Sequence, residues 1–95
     1  MGEFIAILTI YYMCDSVAGT RPLAGDELNA CSAAYEEVKT YFIEEFELAP
    51  HGSLKRFEQN RQGYLGFKAW EAENAELVSK LRHNADAEVR LGVAY

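Results

Sequence analysis

The sequence predicts an α+β domain of the ferredoxin-like type, with the order βαββαβ and two helices on one face of an antiparallel sheet. Three observations favour this fold. The chain begins with an apolar segment rich in β-branched and aromatic residues, two stretches show the spacing of amphipathic helices, and the C-terminal residues alternate. At 95 residues the chain predicts a single domain over 1–95, because half of it would be too short to bury a core.

The first element is a predicted strand over residues 4–13. β-branched and aromatic residues favour strands, and a helix that is apolar on all sides is difficult to bury in so small a domain. Residues 15–25 contain Asp-Ser, Ala-Gly-Thr and Arg-Pro, which favour turns. We therefore expect a surface loop after this strand.

The second element is a predicted helix from Gly25 or Asp26 to about Leu48, since either residue suits an N-cap. Apolar residues recur at spacings of three and four, which places them on one buried stripe. This stripe consists of Leu28, Cys31, Tyr35, Val38, Phe42 and Phe46. Pro50 and Gly52 end the helix.

The middle of the chain fits two interpretations. Residues 54–70 match a hairpin with a turn near Gly63, because the two glycines of this stretch would each cost ~1 kcal/mol relative to alanine inside a helix. The alternative is an all-α bundle in which 53–84 form one long helix. In the preferred interpretation a second helix covers 71–84, and the alternating residues 89–95 form the last strand.

Charge is unevenly distributed along the chain, whose net charge is −6. Residues 1–50 hold nine acidic and two basic residues, whereas 51–95 hold six acidic and seven basic ones. The net negative charge therefore comes from the first half of the chain, and mainly from the predicted helix that starts at Gly25 or Asp26. The residues that we expect to bind a partner there are Glu36, Glu37, Tyr41, Glu44 and Glu47.

The predicted function is macromolecule binding without catalysis. The chain contains no glycine-rich phosphate loop and no nucleophile elbow, and nothing in it predicts a metal or a cofactor. We expect a non-catalytic inhibitor or adaptor that docks its acidic helix on the basic surface of a protein partner, including a nucleic-acid-binding complex. By analogy of size and charge alone, phage or mobile-element anti-defence inhibitors of the anti-CRISPR type belong to this class.

Two alternative functions use the predicted sheet. The basic, glycine and aromatic residues around Gly63 partly follow the pattern of the third strand in RNA-recognition domains, which predicts binding of single-stranded RNA or DNA. The residues for this alternative are Arg61, Tyr64, Lys68 and Trp70. The other alternative is a small dimeric ferredoxin-like enzyme with a pocket between sheet and helices.

The apolar segment at the start of the chain predicts neither a signal peptide nor a membrane span. No basic region precedes it, and its run of 11 residues from Phe4 to Cys14 is shorter than the roughly 20 that a membrane helix needs. We therefore expect a cytoplasmic protein without membrane contact, in which Cys14 and Cys31 are free thiols. The sequence is also compatible with a homodimer.

Overall fold

The described part of the protein is a bundle of four α-helices. The computed structural model describes residues 2–45 and 47–92, and it contains no strand within them. The helices are α1 (Gly2–Ala18), α2 (Gly25–Thr40), α3 (Leu54–Glu73) and α4 (Ala75–Arg90).

The predicted ferredoxin-like fold is therefore wrong. The predicted strand over 4–13 lies inside α1, and the predicted hairpin over 54–70 lies inside α3. The predicted last strand begins at a residue that α4 still contains, and positions 93–95 lie outside the described residues. The all-helical alternative has the observed class, but its single helix over 53–84 is interrupted at Asn74.

Helix α1 is the centre of the bundle, because it packs against both α2 and α4. Its spacing of four residues brings Phe4, Leu8 and Tyr12 onto one side, and all three are almost completely buried. Two neighbouring helices thus cover the apolar side of α1, which the sequence patterns alone had assigned to a strand. Tertiary packing outweighs the strand propensity of this segment.

The glycines of α3 are contact points between helices. A Cβ atom at Gly63 would lie 2.8 Å from the Lys39 carbonyl oxygen, and one at Gly66 would lie 2.6 Å from Cβ of Phe42. Both distances are shorter than a carbon atom tolerates, so glycine permits the approach of α3 to the end of α2. The packing gained in this way offsets the helix propensity that glycine lacks.

Side chains fix both ends of α3. The Ser53 hydroxyl accepts a hydrogen bond of 3.1 Å from the Arg56 N–H, which is the usual N-cap interaction. At the other end the side-chain amide of Asn74 donates to the Trp70 carbonyl over 2.9 Å. Asn74 has left the helical conformation, with φ −119° and ψ 37°, so α3 ends there and α4 starts at Ala75.

A disulfide joins Cys14 of α1 to Cys31 of α2, with 5.8 Å between the two Cα atoms. The prediction of two free thiols is therefore wrong. Only a helical α1 places Cys14 on the side that faces α2, and the predicted strand did not bring the two cysteines together. Both side chains are buried.

None of the helices in the described part of the chain has the length and apolar character required to cross a membrane.

Candidate docking surface

The predicted partner-binding residues remain on the surface, but they do not lie on one helix. Glu36 and Glu37 belong to α2, which ends at Thr40 and not near Leu48. Backbone hydrogen bonds of the i to i−3 type close its last turn, where Phe42 N–H donates to the Lys39 carbonyl over 3.0 Å. The prediction of one continuous acidic helix face is therefore wrong.

The connection after α2, residues 41–53, carries the other predicted residues. The side chain of Gln59, 1% exposed, holds this connection on α3. Its Oε1 accepts from the Ala49 N–H over 2.8 Å, and its Nε2 donates to the Glu47 carbonyl over 3.0 Å. Arg56 donates to the Ala49 carbonyl over 3.1 Å. These bonds fix the backbone at Glu47 and Ala49, while Glu44, Glu45 and Glu47 are exposed to solvent.

We call the exposed residues of this region the acidic surface. It consists of Glu36, Glu37, Tyr41, Glu44, Glu45 and Glu47. Within the described residues only one of its carboxylates has an ion pair, between Glu36 and Lys39 Nζ at 3.0 Å. The remaining four carboxylates form none there, so the acidic surface carries uncompensated negative charge.

A cleft of about 650 Å³ separates the acidic surface from α3. Its charged lining consists of Glu44, Glu45, Glu58 and Arg61, and Phe42 and Gly66 contribute apolar surface. Three carboxylates against one guanidinium make the cleft net negative. The fold thus brings Glu44, from the predicted partner site, beside Arg61, from the predicted nucleic-acid site.

A second, smaller cleft of about 130 Å³ is lined by Phe4, Tyr41, Phe42 and Trp70. The ring centroid of Phe4 lies 5.1 Å from that of Tyr41 and 5.0 Å from that of Trp70. We call it the aromatic cleft. The sequence patterns did not indicate this cleft, because they place Tyr41 in a helix and Trp70 in a sheet. Aromatic faces attract cations, so this cleft suits a cationic side chain.

The predicted nucleic-acid residues no longer share a platform, because the described residues form no sheet. Arg61, Tyr64 and Lys68 lie on the outer side of α3. Trp70 is half-buried and contacts Phe4 on the inner side. Six residues of helix rotate a side chain by about 240°, so Tyr64 and Trp70 do not present parallel faces to a base. The predicted pocket of a dimeric enzyme, between sheet and helices, is likewise missing from this part of the chain.

A polar network lies on the other side of the bundle, around Tyr12. Its hydroxyl donates to Glu71 Oε2 over 2.6 Å, and the Arg82 guanidinium lies 4.2 Å from its ring centroid. Arg82 also donates to Asp15 Oδ2 over 2.8 Å. Burial, followed by the hydrogen bond to Glu71, raises the pKa of Tyr12 above its ordinary value. The phenol therefore stays protonated, and the network joins α1, α3 and α4.

Neither metal geometry nor a relative assigns a chemistry to these surfaces. Within the described residues, no three His, Cys, Asp or Glu side chains come together in a way that would hold a metal ion. Comparison with protein-family models, with curated proteins and with solved structures finds no match to this chain.

Proposed function

We propose that this protein is a non-catalytic binding protein, which docks its acidic surface on the basic surface of a protein partner. The observation that carries this proposal is the set of exposed carboxylates at Glu37, Glu44, Glu45 and Glu47, which form no ion pair within the described residues. Helix α2 holds Glu37, the Gln62 side chain accepts from the Glu44 N–H, and Gln59 binds the Glu47 carbonyl, so little order has to be gained on binding at these positions. Uncompensated charge of one sign accelerates association with a partner of the opposite sign.

The aromatic cleft supports a cationic partner. Tyr41 belongs to both the acidic surface and the aromatic cleft, so the two features are continuous. A lysine or arginine side chain over an aromatic face gains roughly 0.5–2 kcal/mol, depending on how far it is desolvated. Arginine is also enriched among the residues that dominate interface energies. The partner surface that fits is therefore basic, with at least one projecting cationic side chain.

The same charge argues against direct binding of nucleic acid at this surface. Phosphate groups are attracted by lysine and arginine and repelled by carboxylates. An acidic protein that covers a basic surface competes with any polyanion for it. Inhibition by occupation of the basic surface is the outcome that this arrangement favours.

The disulfide between Cys14 and Cys31 bears on where the partner is found. Disulfides persist in oxidising compartments, whereas the cytosol keeps thiols reduced. An anti-CRISPR-like inhibitor works in the cytoplasm. The disulfide therefore favours a partner in an oxidising compartment over a cytoplasmic defence nuclease, and trapping of thiols in the native host distinguishes the two locations.

A titration with an arginine-rich peptide tests the proposal. The chain has a single tryptophan, Trp70, which lines the aromatic cleft, so its fluorescence reports on binding there. We expect the peptide to change this fluorescence, with an affinity that falls as salt rises. Replacing Glu37, Glu44 and Glu47 together with glutamine should weaken binding at least tenfold at low salt.

The matched control removes three exposed carboxylates elsewhere, by replacing Glu73, Glu76 and Glu88 with glutamine. Both triple variants change the net charge equally, so a general effect of charge would appear in both. Equal loss in the two variants, or peptide binding that ignores salt, would contradict docking through the acidic surface. Tyr41→Ala adds a separate measure of the aromatic cleft, where we expect weaker binding with unchanged salt dependence.

A further inference from the structure

The outer side of α3 exposes a row of large apolar side chains. Leu54 is 86% exposed, Phe57 66%, Leu65 48% and Tyr64 44%. The opposite side of the same helix packs into the bundle through Gln59, Gly63 and Phe67, which are buried. We call the outward-facing residues the outer face of α3. Between Leu54 and Leu65 it consists of Leu54, Phe57, Glu58, Arg61, Tyr64 and Leu65, and the exposed Lys68 follows about one turn further along.

This row is continuous along the helix. Leu54, Phe57, Arg61 and Leu65 follow one another at spacings of three and four, so their side chains share one side of the helix. From Leu54 to Leu65 the row is about 17 Å long at the helical rise. Single exposed apolar residues are ordinary, whereas several large ones on one side of a helix indicate a surface that another molecule covers.

Two opposite charges lie in the middle of this row. Glu58 and Arg61 are both exposed, and neither forms an ion pair within the described residues. If a second copy of α3 lies antiparallel across a two-fold axis between positions 59 and 60, position 58 of each copy faces position 61 of the other. The same register places position 54 opposite position 65, and position 57 close to the axis.

In this register position 57 faces Gln62 and position 64 faces Lys55, and the two complementary pairs are 58 with 61 and 54 with 65. Glu58 meets Arg61 of the second copy twice, and Leu54 meets Leu65 of the second copy twice. The two Phe57 rings lie on either side of the axis. A two-fold interface uses the same patch on both copies, so it requires a patch that contains its own complement. The outer face of α3 meets this requirement in both charge and apolar surface.

We propose that the protein forms a homodimer through the outer face of α3, with the two helices antiparallel and Glu58 paired with Arg61 across the axis. A phosphate-rich partner suits this face less well, because Glu58 lies within it and Glu44 and Glu45 line the adjoining cleft. A single helix pair makes a small interface, so the dimer is reversible. This inference goes beyond the proposed function, because the pairing itself uses Glu58 and Arg61 and none of Glu37, Glu44 and Glu47, although Glu44 lines the cleft beside Arg61.

Charge reversal tests the register directly. Glu58→Arg leaves two cations facing two cations in a homodimer, and Arg61→Glu leaves carboxylates facing carboxylates. We expect each single variant to raise the dissociation constant of its own dimer at least tenfold in sedimentation equilibrium. In an equimolar mixture of the two variants, each cation at position 58 or 61 of one chain faces a carboxylate of the other chain. The mixture should therefore dimerise with nearly the affinity of the original protein.

Three further measurements complete the test. The double variant E58R/R61E restores opposite charges and should dimerise, whereas Phe57→Ser should be monomeric with unchanged helical circular dichroism. Replacing Glu37, Glu44 and Glu47 with glutamine should leave the dimer intact. Three results would overturn the proposal. The original protein could stay monomeric at hundreds of micromolar, the mixture of variants could fail to associate, or monomers could bind anionic vesicles through Phe57.

Discussion

The Tyr12 hydroxyl donates a hydrogen bond of 2.6 Å to the Glu71 carboxylate, across 59 positions of the chain, and so joins α1 to α3. Tyr12→Phe keeps the ring and removes only this donor. A hydrogen bond to a charged group contributes about 1.5–3 kcal/mol, so we expect the free energy of unfolding to fall by about 2 kcal/mol. Urea denaturation measures this difference.

Tyr64→Phe is the matched control for this variant, since Tyr64 is exposed on the outer side of α3. It should change the free energy of unfolding by less than about 0.5 kcal/mol. Equal effects of the two substitutions would show that the hydroxyl of Tyr12 does not stabilise the bundle.

Stability should fall in alkali because of Tyr11. Burial, followed by the negative charge of Asp15, raises the pKa of Tyr11 from its ordinary value of 10.0 to about 12. Above pH 10 the unfolded chain loses this proton while the folded chain keeps it, so unfolding is increasingly favoured as pH rises from 10 to 12. We expect the melting temperature to decline over this window, and Tyr11→Phe should make the decline shallower. A melting temperature that stays constant to pH 12 would contradict the raised pKa.

The disulfide should contribute strongly to stability. It closes a loop between residues 17 positions apart, and cross-links of about this length stabilise a fold by roughly 3 kcal/mol in the chain-entropy description. Replacing Cys14 and Cys31 with serine should therefore lower the melting temperature by well over ten degrees in a domain of this size. The original protein should show a comparable loss after reduction, and the serine variant should not respond to the reductant at all.

Gly63→Ala should destabilise the protein, although alanine is the better helix former. Propensity alone would give a gain of ~1 kcal/mol, but the new Cβ atom would lie 2.8 Å from the Lys39 carbonyl oxygen. Crowding of this kind costs typically 1–3 kcal/mol, so we expect a net loss of about 1 kcal/mol in chemical denaturation. Ala72→Gly, at an exposed position of α3, supplies the opposite case, in which only propensity counts. A more stable Gly63→Ala would mean that α2 and α3 lie further apart.

Local signals were sufficient for the start of α2. The predicted helix start agrees with α2, which begins at Gly25, because apolar spacing acts within a few residues; the N-cap is Ala24, however, and no side chain caps the helix. The end of α2 was not predictable in this way. Its apolar stripe continues through Phe42, but that side chain packs on α3 at Gly66, and the backbone has already left the helix.

Helix α1 shows why local reasoning fails for a central element. Its residues favour a strand, and the argument against a helix was the lack of partners to bury it. Those partners are α2 and α4, which are separated from it along the chain and become visible only once the bundle is assembled. The glycines of α3 led to the wrong prediction of a hairpin for the same reason, since they serve a close contact with the end of α2.

For the candidate surface, exposure was predictable and arrangement was not. Charged residues such as Glu37 and Glu44 remain in water in almost any fold, and they are exposed here. The aromatic cleft joins Phe4 to Trp70, 66 positions apart, and no spacing rule connects residues at that separation.

The side-chain amide of Gln59 holds the backbone of the acidic surface at Glu47 without itself carrying a charge. An uncharged amide both donates and accepts, and it neither gains nor loses a proton where carboxylates titrate. The connection that it holds through Ala49 and Glu47 should therefore keep its position in acid for as long as the bundle itself stays folded. If the protein releases its partner in acid, the change in affinity would then report on charge alone, because the backbone of the connection has not moved. In Gln59→Glu the shape of the connection would also depend on pH. An ionised carboxylate has no proton to donate to the Glu47 carbonyl, so folding of the connection would itself become acid-dependent.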